Sequence, residues 1–213
     1  MEYGALLGLM NLKKLILIKC KLNYMPNVYE KSKKAVKVLN LRNNDINYIN
    51  ESYFTGFTNL THLYLDENLI KSVPIITPLT KLILFGIASN VLEDMSVLYT
   101  ISLPHLKEIH LNNNNITSLS LKIIDNYPNL YAVDLQHNCI SYIQPLDLPE
   151  KKPGKRPFLR LYGNPWDCGR PLQWWTRAQE YVRLDHIHWT CADPAHLHGR
   201  LVTSIGNIRC RPS

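Results

Sequence analysis

Five side chains near the C-terminal end have the composition of a metal site: His186 and His188 in one H-x-H pair, Cys191, and His196 and His198 in another. On a strand, an H-x-H pair places both imidazoles on one face, and zinc takes three or four N or S ligands at about 2.0–2.3 Å. Trp189 and Pro194 interleave these residues, however, which is how histidines sit in ordinary packing. No metal site is assigned. His62, Asp66 and His110 are the residue types of general acid–base chemistry, but no nucleophile accompanies them. G-x-S-x-G, H-E-x-x-H, P-loop and dinucleotide-binding glycine patterns are all missing. The chain is expected to be neither an enzyme nor a cofactor carrier.

Binding chemistry is better represented. The chain has 213 residues with 24 Lys and Arg against 17 Asp and Glu, a formal charge of +7 that suits solubility or an anionic partner. Asn50-Glu51-Ser52, Asn59-Leu60-Thr61 and Asn115-Ile116-Thr117 are glycosylation acceptors. Five cysteines are too few for a dense disulfide scaffold at this length. No run approaches the roughly 18 apolar residues of a membrane span, so membrane attachment would come only through parts absent from this chain. The start, MEYGALLGLMNLKK, carries Glu2 where a signal peptide has its basic region. A secreted protein would therefore be represented here by a mature form or an excised fragment.

What must position these groups is a repeat. The pattern L-x-x-L-x-L-x-x-N-x-L opens at Leu12, Val36, Leu60, Leu106 and Leu130, and its spacing is 24 residues wherever two clean copies adjoin. A degenerate copy, LTKLILFGIAS, opens at Leu79, and a last one, RPFLRLYGN, brings the number to about seven over residues 12–163. In L-x-L both leucines point to one face. Stacked copies thus form a parallel sheet over a leucine core, the architecture of an α/β solenoid curved with the sheet on its concave side. Asn44, Asn68, Asn114 and Asn138 end the strands and are expected to turn inward onto backbone groups. Cys20 holds the same slot in the first copy and is expected to be a buried free thiol. Phe54, Phe57, Ile124 and Tyr127 are expected to pack on the convex side. In the degenerate copy no amide occupies the slot, so Phe85 either fills the gap or is presented to a partner.

Past the repeats, the chain reads GNPWDCGRPLQWW, then C-A-D-P-A-H-L-H-G, then Cys210. The N-P-W-x-C start, the L-x-W-W segment and the C-x-x-P-x-x-L-x-G stretch resemble the cysteine-rich C-terminal cap of extracellular leucine-rich repeat proteins. That family includes Toll-like receptor ectodomains, Slit-type and neuronal adhesion proteins, and the variable lymphocyte receptors of jawless vertebrates. The resemblance implies a leucine-rich repeat horseshoe over 12–163 and a cap over 164–213. It implies a Cys168–Cys191 disulfide and a secreted or cell-surface location. The family's second cap cysteine is Arg170 here, leaving Cys210 free, paired with Cys139, or joined to another chain. The family's N-terminal cap is also missing, so residues 1–11 are either the tail of an earlier repeat or a makeshift cap.

On this alignment the exposed strand centres are Ile16, Asn40, Tyr64, Ile83, His110, Asp134 and Arg160. The column before them holds Lys14, Val38, His62, Lys81, Glu108, Ala132 and Phe158, and the column after holds Ile18, Arg42, Asp66, Phe85, Asn112, Gln136 and Tyr162. Candidate concave binding residues are Lys14, Lys37, Arg42, His62, Tyr64, Asp66, Lys81, Phe85, His110, Asp134, Arg160 and Tyr162. Their mixture of aromatic, apolar and charged groups suits a protein or an anionic microbial glycan, and no Lys/Arg ladder for specific nucleic-acid binding is present. Lys14, Lys37 and Arg42 lack acidic partners on this alignment. Two functions follow: an extracellular recognition module resembling an immune receptor, or an adhesion ectodomain binding another membrane protein or itself.

Overall fold

The computed structural model of the chain describes residues 9, 11–143, 154–169, 177–185 and 189–202. Seven three-residue strands recur along it: β1 (Lys14–Ile16), β2 (Val38–Asn40), β3 (His62–Tyr64), β4 (Leu84–Gly86), β5 (Glu108–His110), β6 (Ala132–Asp134) and β7 (Phe158–Arg160). They pair in parallel in chain order, and β9 (Arg183–Leu184) continues the same sheet beyond β7. The middle residue of each of the seven, from Leu15 to Leu159, is buried, and its two neighbours lie on the opposite face. The fold is a parallel-sheet solenoid of about seven turns, a leucine-rich repeat horseshoe. Among the described residues its convex half is mostly irregular, with one short helix, α1 (Glu30–Lys33), and 3-10 turns at Ser96–Tyr99 and Leu121–Asn126. Phe54, Phe57, Ile124 and Tyr127 are buried there.

Each turn is tied to the next by a buried amide. Asn68 donates from Nδ2 to the carbonyls of Leu41 and Leu65, both at 3.0 Å, while its Oδ1 accepts the Ile46 N–H at 3.1 Å. Asn44, Asn90, Asn114, Asn138 and Asn164 repeat the arrangement. A strand this short leaves its turn's backbone groups without ladder partners, and a buried amide that both donates and accepts satisfies them. The residue just before the amide is left-handed in every copy: Lys19, Asn43, Glu67, Ser89, Asn113, His137 and Gly163 all have positive φ. Turning the amide inward requires that conformation.

The degenerate copy is not degenerate. Leu84, Phe85 and Gly86 pair with His62, Leu63 and Tyr64, so the copy opens at Leu82 and not at Leu79. In that register Asn90 fills the amide slot and is buried, and Phe85 is fully buried opposite Leu63. The unit between Leu60 and Leu82 is two residues shorter than its neighbours. An apolar residue at 79, 82 and 84 allowed two openings; the one at Leu82 also puts Asn90 and Leu92 in pattern, and burial of Phe85 fixes it. Cys20 also departs from expectation: it is an exposed free thiol. It does occupy the amide slot, since Asn44 Oδ1 accepts its N–H at 3.0 Å. But it follows the first described strand, and among the described residues no further turn covers it.

At the C-terminal end, Cys168 and Cys191 form a disulfide, and β8 (Trp166–Asp167) pairs with β10 (Cys191–Asp193). Trp166 and Trp189 stack with ring centres 4.8 Å apart, both buried. Asp185 closes the sheet. Its Oδ1 accepts the Leu161 N–H at 2.8 Å, where a following strand would have offered a carbonyl, and also accepts Trp189 Nε1 at 3.0 Å. Arg170, Cys210 and residues 1–8 lie outside the described residues.

Candidate functional site

The concave surface is built from the two outward positions of each strand and the residue beyond. In the observed register the fourth copy contributes Leu84, Gly86 and Ala88, in place of Lys81, Ile83 and Phe85. Phe85 is therefore removed from the candidate surface, since its ring lies in the core. Lys81 precedes Leu82, off the sheet, where its Nζ donates to Asn59 Oδ1 at 2.6 Å. Tyr64 and Phe85 consequently project from opposite faces and do not meet.

What stands against Tyr64 is Arg42. The guanidinium carbon lies 4.3 Å from the Tyr64 ring centre, and Nε donates to Asp66 Oδ2 at 2.6 Å. Asp66 is buried, and its Oδ1 accepts the Ala88 N–H at 2.9 Å. Gly86 makes this possible: a Cβ there would fall 2.8 Å from Asp66 Oδ2. The His62 ring lies near-parallel to that of Tyr64, with ring centres 6.3 Å apart. Lys14, Arg42, His62, Tyr64 and Asp66 occupy the outward positions of the observed register, whereas Lys37 stands at the entry to β2, beside the face and not on it. Arg42 is not an unpaired base. A planar guanidinium held between a carboxylate and a ring has little rotamer freedom left to lose on binding.

Farther along, each concave carboxylate again has a basic neighbour. Glu108 Oε2 is 3.2 Å from His110 Nε2, and Asp134 Oδ2 accepts from Arg160 Nη1 at 3.4 Å. Tyr162 meets the His137 ring edge-to-face at 5.3 Å. Gly86 and Ala88 lie between Tyr64 and His110 in the sheet order, and both are buried, with the Asp66 carboxylate packed against them. Glu108 and Gln136, the latter donating to Asp185 at 3.1 Å, add polar groups farther along. The face offers one rigid aromatic–guanidinium pair and mostly paired charge.

The histidine–cysteine group does not assemble a metal site among the described residues. Cys191 is consumed by its disulfide, and His198 Nδ1 lies 3.1 Å from the Ala192 carbonyl. His186 and His188 lie outside the described residues. No helix among the described residues is long and apolar enough to cross a membrane.

Leucine-rich repeat family models match residues 10–70 and 105–127. These matches fall on the turns whose strands and amide ladder are described above. These turns are leucine-rich repeats. The chain is 33% identical over 167 residues to nephrocan of Mus musculus, a match covering 77% of this chain and 27% of that relative. The chain therefore spans about a quarter of the relative's length. Leucine-rich repeat domains generally bind proteins, and nothing in the concave chemistry departs from that role.

Proposed function

We propose that this chain is an extracellular recognition module that grips a protein partner in its concavity, with Tyr64 and Arg42 as the anchor. The Asp66–Arg42–Tyr64 stack carries this reading: aromatic and arginine groups held in place before binding are what binding hot spots are enriched in. Paired charges over β3 to β7 suit a protein surface better than a polyanion, so an anionic microbial glycan is not placed there. The disulfide supports a secreted or cell-surface location, where such bonds persist. Asn50 and Asn115 are exposed and suit glycosylation; Asn59 suits it less, because its Nδ2 already donates to the Lys34 carbonyl at 2.8 Å. We assign the segment from Asn164 onward as the cap of the solenoid.

An array of cell-surface and secreted ectodomains, screened with the chain, tests the reading. Tyr64→Ala should weaken a captured partner by roughly tenfold or more, about 1.4 kcal/mol, with the melting temperature nearly unchanged. The convex-side control Lys122→Ala should change neither. A partner that ignores Tyr64→Ala and instead depends on exposed cap residues such as His196 would move the site off the sheet.

A further inference from the structure

The positive charge that the concave sheet balances is left over along one margin. Each strand is entered through a residue whose carbonyl accepts the N–H of the same position in the next copy. Lys13, Lys37, Thr61, Ile83 and Lys107 are linked this way, at 2.7–2.8 Å for each step from Lys13 through to Tyr131. The entry positions therefore stand next to one another in a single column along the sheet edge. Lys13, Lys37 and Lys107 are exposed in it. Copies three and four carry Thr61 and Ile83 at their entries; Lys81, two residues before Ile83, is the lysine of this gap, and its Nζ donates to Asn59 Oδ1 at 2.6 Å. With strands about 4.8 Å apart, Lys13 and Lys107 are separated by four spacings, about 19 Å.

No ion pair among the described residues engages Lys13, Lys37 or Lys107: the pairs there involve Lys33, Arg42, His110 and Arg160, and Glu30, in the turn that leads into β2, is held by Lys33 at 2.8 Å. Asp125 is the exposed acid at the corresponding place before β6. The opposite margin differs, because the exposed carboxylates Asp45, Glu67, Glu93 and Asp94 offset its lysines. The shape of the cationic row selects its ligand. It is long, narrow and formed by flexible point charges, which suits a chain bearing anions at intervals and tolerates variable spacing. A flat anionic membrane would need a broad patch, whereas this row follows the edge of a curved solenoid.

We propose that the strand-entry margin binds a linear sulfated polysaccharide laid across the strands, independently of the concave protein site. The test uses the full chain and a defined sulfated octasaccharide, with its desulfated counterpart and phosphatidylserine vesicles as parallel probes. Binding to the sulfated probe alone, weakening as salt rises, is the expected result. The triple variant Lys13→Glu, Lys37→Glu, Lys107→Glu should lose roughly tenfold or more in affinity. An equal change of charge elsewhere, Lys21→Glu, Lys71→Glu, Lys122→Glu, should stay within about twofold, and Tyr64→Ala should have no effect. Matching losses in the two triple variants would overturn the proposal by showing only a net-charge effect. Binding to the desulfated chain, or to the vesicles in preference to the oligosaccharide, would also overturn it.

Discussion

The fourth copy offers the sharpest test, because two alignments of the same residues make opposite demands. With the copy opening at Leu82, Phe85 lies wholly in the core and Asn90 ties its own turn to the preceding one. Phe85→Ala should then cost about 3–5 kcal/mol, the usual range for emptying a buried ring's volume. Asn90→Leu orphans the Ile70 N–H, whose partner is Asn90 Oδ1 at 2.9 Å, at about 1–3 kcal/mol. The carbonyls of Leu65 and Ile87 lose one donor each but keep Asn68 and Asn114, adding about 1 kcal/mol more. At about 2–4 °C per kcal/mol for a chain this size, the melting temperature should fall by roughly 5–15 °C for Asn90→Leu. Urea titration supplies the free energies, and the exposed Asn47→Leu serves as control, expected to stay within about 0.5 kcal/mol. Under the Leu79 alignment, with Phe85 on the surface, Phe85→Ala would be nearly neutral and Asn90→Leu unremarkable. A near-native midpoint in both variants would refute the register and the ladder together.

Three further perturbations follow from the same contacts. Gly86→Ala pushes a methyl group against the Asp66 carboxylate, 2.8 Å away, and should cost about 1.5–3 kcal/mol through its charged hydrogen bonds; a second change, Asp66→Ala, in that background should add little if the clash is the cause. Replacing Cys168 and Cys191 together by alanine should cost about 2–5 kcal/mol, read from denaturation, with an unchanged midpoint counting against a structural role for the bridge. Tyr127 is buried with its hydroxyl donating to the Leu98 carbonyl at 2.8 Å, and burial pushes its pKa well above the ordinary 10.0. Its contribution to stability is complete below pH 10.0 and declines above it, because only the unfolded chain ionises readily there. Tyr127→Phe should lower stability by about 1 kcal/mol at neutral pH yet flatten the alkaline decline, and an alkaline slope equal to that of the parent would refute this.

Periodicity carried most of the architecture. Five clean copies at 24-residue spacing demand a parallel sheet with leucines on one side, because strand alternation and stacking leave no other way to bury them. The amide slots at Asn44, Asn68, Asn114 and Asn138 and the Cys168–Cys191 pairing were readable for the same reason, being tied to fixed positions in a repeating frame or a motif. Tertiary structure alone decided what depends on neighbours across turns. The opening at Leu82 is favoured in the sequence by Asn90 and Leu92, which fill the amide slot and the position after it, and the pairing of Phe85 with Leu63 fixes it. Asp66 stands next to Arg42 in the repeat frame, 24 residues on; what tertiary structure decided is that its carboxylate is buried, in the space that Gly86 leaves beside it. Cys20 is exposed because burial in this fold comes from the adjacent turn, and the residue's own position in the pattern cannot supply one.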